Sequence, residues 1–316
     1  NGRKPKHSPR LSYRNIMKNL IIGDGAMGTE LRRRGVEVPS HVESIWSALA
    51  LKEASSIVEE IHIDYIEAGS DYITTNNYAV TRPILSREDL DKELESLTLK
   101  SIEIAQSAIS KSKREGIKIL GSLPPLETSY RSDLILHEEE MDKQYFEIAN
   151  ILKDKVDIII CETMASALEA KCALRAALNT NMPVWVSWTL QGNQMNTLPS
   201  GETVNDAFAK LVGLEPEAYL VNCCAANLVT PSLNALNELT DTRLGAYANA
   251  ENIQIESNPP QSKLAEERHW ESATEIDEKT YLKEANKWIK EGASIVGGCC
   301  RTRPSYIKEL SENLKN

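Results

Sequence analysis

No stretch of these 316 residues approaches the roughly 20 consecutive apolar residues that a membrane-crossing helix needs. Positive charge is in short supply: 36 lysines and arginines stand against 46 aspartates and glutamates, a net charge of −10. A general binder of nucleic acid or of an anionic membrane surface needs the opposite balance. A secretory signal pattern is missing too, because the basic residues 1–6 are not followed by an apolar core. There is no low-complexity tract and no repeat longer than a strand–helix unit. Cytoplasm is the expected location, with no nucleic acid or membrane partner; the oligomeric state is left open. Residues 1–16 read as a leader outside the fold, Met17-Lys18-Asn19-Leu20 as a natural start, and residues 17–316 as one domain.

What is present is ordinary globular material, 41% hydrophobic and 26% charged, enough for a large core. Short apolar runs recur at residues 20–25, 72–75, 117–121, 156–161, 184–188, 218–221, 244–248 and 293–296. Between them lie amphipathic segments, among them 54–68, 95–114, 141–153, 165–178, 204–211 and 279–290. Eight buried strands alternating with helices predict a parallel sheet closed into a (β/α)8 TIM barrel, with a doubly wound open sheet as the alternative. Polar residues cluster after the strands, which favours the barrel. Three long connections, 122–140, 190–203 and 249–278, fall where loops cover a barrel's site.

Six cysteines carry the sharpest signal. Gly297-Gly298-Cys299-Cys300 follows the apolar run Ala293-Ser294-Ile295-Val296, and Asn222-Cys223-Cys224 follows another. The two glycines are expected to let the backbone turn sharply where a side chain would crowd a site. In a reducing compartment, adjacent cysteines at two strand exits read as metal ligands rather than disulfides. The plainer reading is that cysteines are small buried hydrophobes, which suits Cys161 and Cys172. Cys299, Cys300 and one of Cys223 or Cys224 would hold zinc and leave its fourth position open, as in catalytic sites. The latter two alternate faces along a strand, so only one should point inward. A zinc ion among thiolates suits a thiol substrate, activated for attack on an electrophilic carbon.

Other residues gather at the same face. Asp24, leaving the first strand in Asp24-Gly25-Ala26-Met27-Gly28-Thr29-Glu30, and Glu162, after the fourth, would accept hydrogen bonds from an ammonium group; the plainer reading is a helix cap. Trp46 and Tyr78 are aromatics that can bind a cationic methyl donor, an attraction of about 0.5–2 kcal/mol. Tyr130-Arg131-Ser132-Asp133 reads as a lid or substrate contact, or as a solvated turn.

Taken together, these motifs resemble the zinc-dependent homocysteine S-methyltransferases over residues 18–312. The resemblance rests on Asp24-Gly25-Ala26-Met27-Gly28-Thr29-Glu30-Leu31, Trp46-Ser47-Ala48, Asp64-Tyr65-Ile66-Glu67-Ala68-Gly69-Ser70-Asp71, Ile73-Thr74-Thr75-Asn76, Glu162-Thr163, Val221-Asn222-Cys223 and the Gly-Gly-Cys-Cys run. It implies a (β/α)8 barrel, zinc on Cys223, Cys299 and Cys300, and homocysteine contacts at Asp24, Gly25, Met27, Glu162, Thr163 and Asn222. The donor would lie near Trp46, Asn76 and Tyr78. No protein side chain would act as catalyst beyond the zinc-activated substrate thiolate. Two loops depart from the S-methylmethionine-using pattern: Gly121-Ser122-Leu123-Pro124-Pro125-Leu126-Glu127-Thr128 and Asn76-Asn77-Tyr78. Both line the donor side. S-methylmethionine is the first expected donor, betaine or dimethylsulfoniopropionate the second, S-adenosylmethionine the third. The rivals are a corrinoid- or folate-linked module working with partner proteins, and a non-catalytic zinc or thiol binder.

Overall fold

The computed structural model describes residues 13–190, 192, 194–255 and 273–315. Residues 1–12 of the expected leader, and Asn258-Pro259-Pro260 in the last long loop, lie outside these.

Eight parallel strands form the expected barrel: β1 (Ile21–Ile22), β2 (Tyr72–Thr74), β3 (Lys118–Leu123), β4 (Ile158–Met164), β5 (Val184–Trp188), β6 (Ala218–Ala225), β7 (Arg243–Asn249) and β10 (Ala293–Gly298). A small antiparallel pair, β8 (Glu251–Ile253) and β9 (Ala273–Glu275), sits between the last two. The ladder runs β1-β10-β7-β6-β5-β4-β3-β2. Long side chains fill the barrel's inside, including Tyr72, Leu120, Ile160, Trp185, Leu220 and Ile295. A second, larger apolar layer lies between the strands and the surrounding helices. Strand residues thus bury both faces, which is why these runs are continuously apolar rather than alternating.

One seam, β1 against β2, has no ladder of its own, and carboxylates stitch it. At its lower end the Ile22 N–H donates to Asp71 Oδ2 at 2.7 Å, and the Asp71 N–H donates to the Ile22 carbonyl at 2.6 Å. At its upper end the Thr74 N–H donates to Asp24 Oδ2 at 2.7 Å. The neighbouring β7–β10 edge of the mouth is pinned from outside. Tyr281, on the helix Glu278–Lys290, is fully buried and donates to the carbonyls of Ala248 and Gly297 at 2.9 and 2.7 Å. That holds the ends of β7 and β10 together just before the cysteine pair.

Two expectations need adjusting. The boundary at residue 17 falls inside a helix, Tyr13–Lys18, whose Ile16 is 5% exposed and packs in the main core. The apolar side chain draws part of the expected leader into the fold. The glycine pair, too, lies in buried extended strand and not in a turn. A Cβ on Gly298 would lie 2.4 Å from Thr302 Oγ1, and one on Gly25 2.8 Å from the same oxygen. That hydroxyl accepts from the Ala26 N–H at 3.1 Å and donates to the Cys299 carbonyl at 2.6 Å. The glycines make room for this threonine, which ties the β1 exit to the cysteine turn; the left-handed residue of that turn is Arg301, at φ 67°.

His62, on the helix Ser55–Ala68, is fully buried, and neither ring nitrogen has a hydrogen-bond partner among the described residues. Burial pulls its pKa down from 6.5 to about 4. The folded protein therefore takes up this proton later than the unfolded chain. Stability present above pH 6.5 is lost as pH falls through about 4. Urea-unfolding free energies of wild type and His62→Leu should diverge across that window, the wild type losing up to about 3 kcal/mol more. Parallel pH profiles would contradict this assignment.

Candidate active site

Two strand ends leave the regular sheet where the site is built. Thr163 on β4 and Cys223 on β6 both have left-handed backbones, at φ 60° and 52°. The register of the β4–β5 and β6–β7 ladders shifts at those points. Such irregularities re-aim side chains at barrel rims, and a left-handed non-glycine residue must be held there by its surroundings. The Tyr130 and Thr189 hydroxyls hold the Cys223 carbonyl, and Thr163 is held by Asn222. Asn222 is fully buried; its Oδ1 accepts from the Thr163 N–H at 3.0 Å and from Ser187 Oγ at 2.6 Å, and its Nδ2 donates to Thr163 Oγ1 at 2.8 Å. One amide therefore braces β4, β5 and β6. The bend at Cys223 sends its thiol to the mouth, while Cys224 turns back into the apolar core.

The thiols of Cys223, Cys299 and Cys300 lie within 4.8 Å of one another, with Cys223 and Cys300 Sγ 3.9 Å apart. Two sulfurs each at the usual bond length from a tetrahedral zinc are separated by about 3.8 Å, so the donor set suits a soft divalent metal. The Cys299 and Cys300 backbones are fixed from β7: the Cys299 N–H donates to the Ala248 carbonyl at 2.8 Å, and the Cys300 N–H to Asn249 Oδ1 at 3.1 Å. Tyr130 arrives from the loop after β3. Its hydroxyl donates to the Cys223 carbonyl at 2.9 Å and lies 2.9 Å from Cys223 Sγ. Cys161 and Cys172 are buried in the core.

Beside the thiols opens a cavity of about 410 Å³. Asp24 and Glu162 both line it, and both are nearly fully buried, at 8% and 7% exposure. Burial raises each carboxyl to about 7. For Asp24 the Thr74 N–H opposes that shift and the Glu162 charge adds to it. For Glu162 the opposing groups are Ser122, donating to Oε1 at 2.5 Å, and Tyr247, donating to Oε2 at 3.3 Å. Among the described residues neither carboxylate has a lysine or arginine partner within salt-bridge distance.

Gly25, Met27, Trp46, Asn76 and Tyr78 also line the cavity. Asn76 donates from Nδ2 to the Ser47 carbonyl at 3.1 Å, and its buried Oδ1 has no partner among the described residues. Tyr78 shares a hydrogen bond with Ser129 at 2.8 Å. The Trp46 ring carries the Arg32 guanidinium 4.4 Å from its centroid and meets His41 edge-on. Thr163 and Asn222, the other homocysteine contacts that the resemblance implies, are not among the residues lining the cavity. Both are fully buried behind the cavity and bonded to each other, since their polar groups are needed to hold the bent strand ends.

Sequence reading missed Ser122, Tyr247, Asn249 and Glu251. Glu251 lines the cavity at 1% exposure, held by Asn249 Nδ2 at 2.7 Å and facing Arg301 at 3.4 Å. The only signal for the last two was their place just past the seventh apolar run.

Comparison with known proteins came out consistently. A profile of the homocysteine S-methyltransferase family matches residues 21–314. The chain is 30% identical over 311 residues to the homocysteine S-methyltransferase of Escherichia coli K12, covering 93% of this chain and 94% of that protein. It is 26% identical over 317 residues to homocysteine S-methyltransferase 1 of Brassica oleracea, with 93% of each chain covered. Among solved structures, the metallated form of the Escherichia coli homocysteine methyltransferase MmuM superposes with a TM-score of 0.76 at 26% identity, over 93% of this chain and 96% of that one.

Asp24 has a structural load that the substitution Asp24→Ala would expose. The Thr74 N–H would lose its acceptor in a buried seam, a cost of about 1–3 kcal/mol. Asp24→Asn keeps an acceptor oxygen and should retain most of that stability. Equal denaturant midpoints for Asp24→Ala and wild type would show that the seam does not depend on it.

Proposed function

The chain belongs to the homocysteine S-methyltransferase family, and from that membership we propose that it transfers a methyl group from a sulfonium or quaternary ammonium donor to the sulfur of L-homocysteine, giving methionine. S-methylmethionine is the favoured donor. The observation that carries this reading is the juxtaposition of two buried, cation-free carboxylates with three clustered thiols on one cavity wall. A buried carboxylate without a cationic partner is costly, and a substrate ammonium supplies the missing charge. A substrate that brings both an ammonium and a thiol a few bonds apart satisfies both halves of the wall.

Cys223, Cys299 and Cys300 would hold zinc. When bound, it acts as a Lewis acid that makes the incoming thiol a thiolate at neutral pH. The chain's own residues do the positioning. Asp24 and Glu162 anchor the amino group, and Ser122 and Tyr247 keep the Glu162 carboxylate aimed at it. The thiol proton is lost to solvent. The new S–CH3 bond then forms as the donor's bond to that methyl breaks, its electron pair remaining on the donor heteroatom. Asn76 Oδ1 and the rings of Tyr78 and Trp46 face the donor. In this displacement the protein contributes alignment and electrostatics and no acid or base of its own.

Methionine formation by zinc-loaded protein, given homocysteine and each donor in turn, tests the reaction. Turnover with S-methylmethionine is the expected outcome; none with any donor, in protein holding one zinc per chain, would overturn it. Cys299→Ser should lose both bound zinc and at least about 1,000-fold in activity, as removal of one of three ligands implies. Glu162→Gln should keep its zinc but weaken homocysteine binding about tenfold to a hundredfold, the loss of one buried charge-assisted bond. Titration calorimetry with homocysteine reads that shift; unchanged affinity would remove Glu162 from the amino-group site.

A further inference from the structure

One arginine far from the thiols joins the two loops that form the cavity's outer wall. Arg87, just after the helix Arg82–Leu85, follows β2 in the chain. Its side chain is 18% exposed. From Nη1 it donates to three consecutive-region carbonyls of the loop after β1: His41 at 3.2 Å, Val42 at 3.0 Å and Ser44 at 3.4 Å. From Nη2 it donates to the loop after β3, to Glu127 Oε2 at 2.8 Å and Thr128 Oγ1 at 2.9 Å. Glu88 adds a second tie, accepting from Ser44 Oγ at 2.6 Å.

The loop carrying residues 38–44 has no strand ladder to satisfy its carbonyls. Arg32 takes those of Val38 and Pro39, and Arg87 takes those of His41, Val42 and Ser44. This first loop ends at Trp46. The other, from Glu127, runs directly into Ser129, bonded to Tyr78, and Tyr130, bonded to Cys223. Both loops therefore reach the cavity within a few residues of their arginine contacts.

We propose that Arg87 is a positioning residue for the methyl donor: it fixes the spacing between the His41–Trp46 wall and the Ser129–Tyr130 wall, and thereby sets how tightly the donor is held. The inference rests on the reading that the donor occupies this side of the cavity. Only a guanidinium fits the role. Its planar fork offers five donors to two loops at once, whereas a lysine presents one compact ammonium that reaches either loop but not both. The amino-acid side of the pocket has separate supports, on Asp24, Glu162 and the strands themselves, so homocysteine binding is independent of the arginine.

The test compares wild type, Arg87→Lys, Arg87→Met and the double variant Glu127→Met/Thr128→Val, which removes both side-chain acceptors of the second loop's half of the bridge. The expected result is a donor KM raised about tenfold or more in all three variants, with homocysteine Kd and bound zinc within about twofold of wild type. Hydrogen–deuterium exchange gives a reading that needs no turnover. Residues 38–46 and 126–131 should exchange faster in Arg87→Met, and the barrel strands should not; in the double variant the change should be concentrated in 126–131. If Arg87→Lys behaves as wild type, if donor KM and homocysteine Kd rise by the same factor, or if neither loop exchanges faster, the proposal is overturned. Absence of turnover by wild type with any donor would instead defeat the reaction proposed above, and the exchange comparison would then decide the role of Arg87 alone.

Discussion

The active face depends on two strand ends being held in a backbone conformation they would not choose. Thr163 and Cys223 both sit in the left-handed region, where a side chain at Cβ is crowded. Such residues persist only where their surroundings outweigh the strain. The Asn222 side chain holds Thr163 and bridges three strands, while the hydroxyls of Tyr130 and Thr189 donate to the Cys223 carbonyl. Straighten β6 at Cys223 and the alternation of an extended strand would turn that thiol from the cavity. The thiol cluster is in this sense a property of the strand bend, and the cysteine merely occupies it.

Electrostatics supply the second constraint. Two carboxylates are buried in one cavity with hydroxyls and a backbone amide around them and, among the described residues, no lysine or arginine in salt-bridge reach. Hydrogen bonds lower part of the cost, yet both groups stay near 7, so burial outweighs them. A site left in that condition is poised for a cation. The three clustered thiols line the same cavity.

Most of the barrel could be read from the chain because buried parallel strands and amphipathic helices have distinct periods. The helix at Ser55–Ala68 begins and ends within one residue of its expected span. The strand ends were less legible. Apolar runs stop at Cys161 and Val221, but β4 and β6 continue through Glu162-Thr163-Met164 and Asn222-Cys223-Cys224-Ala225, where hydropathy fades while pairing goes on. The helix Ala226–Leu239 was obscured by Pro231 and by several short polar residues. At the site, adjacent cysteines and strand-end carboxylates announced themselves. Ser122, Tyr247 and Arg87 did not, because their importance lies in what they hold, and partners 40 to 85 residues away leave no local trace.

Asp24 belongs at once to the architecture and to the pocket: one carboxylate oxygen replaces a missing rung between the first and second strands while the group faces the cavity. A position under two such demands has little freedom to drift. Substitutions that retuned the pocket there would loosen the barrel's weakest join, so divergence in substrate preference within such a scaffold is channelled elsewhere, toward the outer loops. Those loops are held by side-chain ties instead of sheet pairing and can be rebuilt without opening the barrel. The fold thereby separates an inner wall that also closes the barrel from an outer wall that does not.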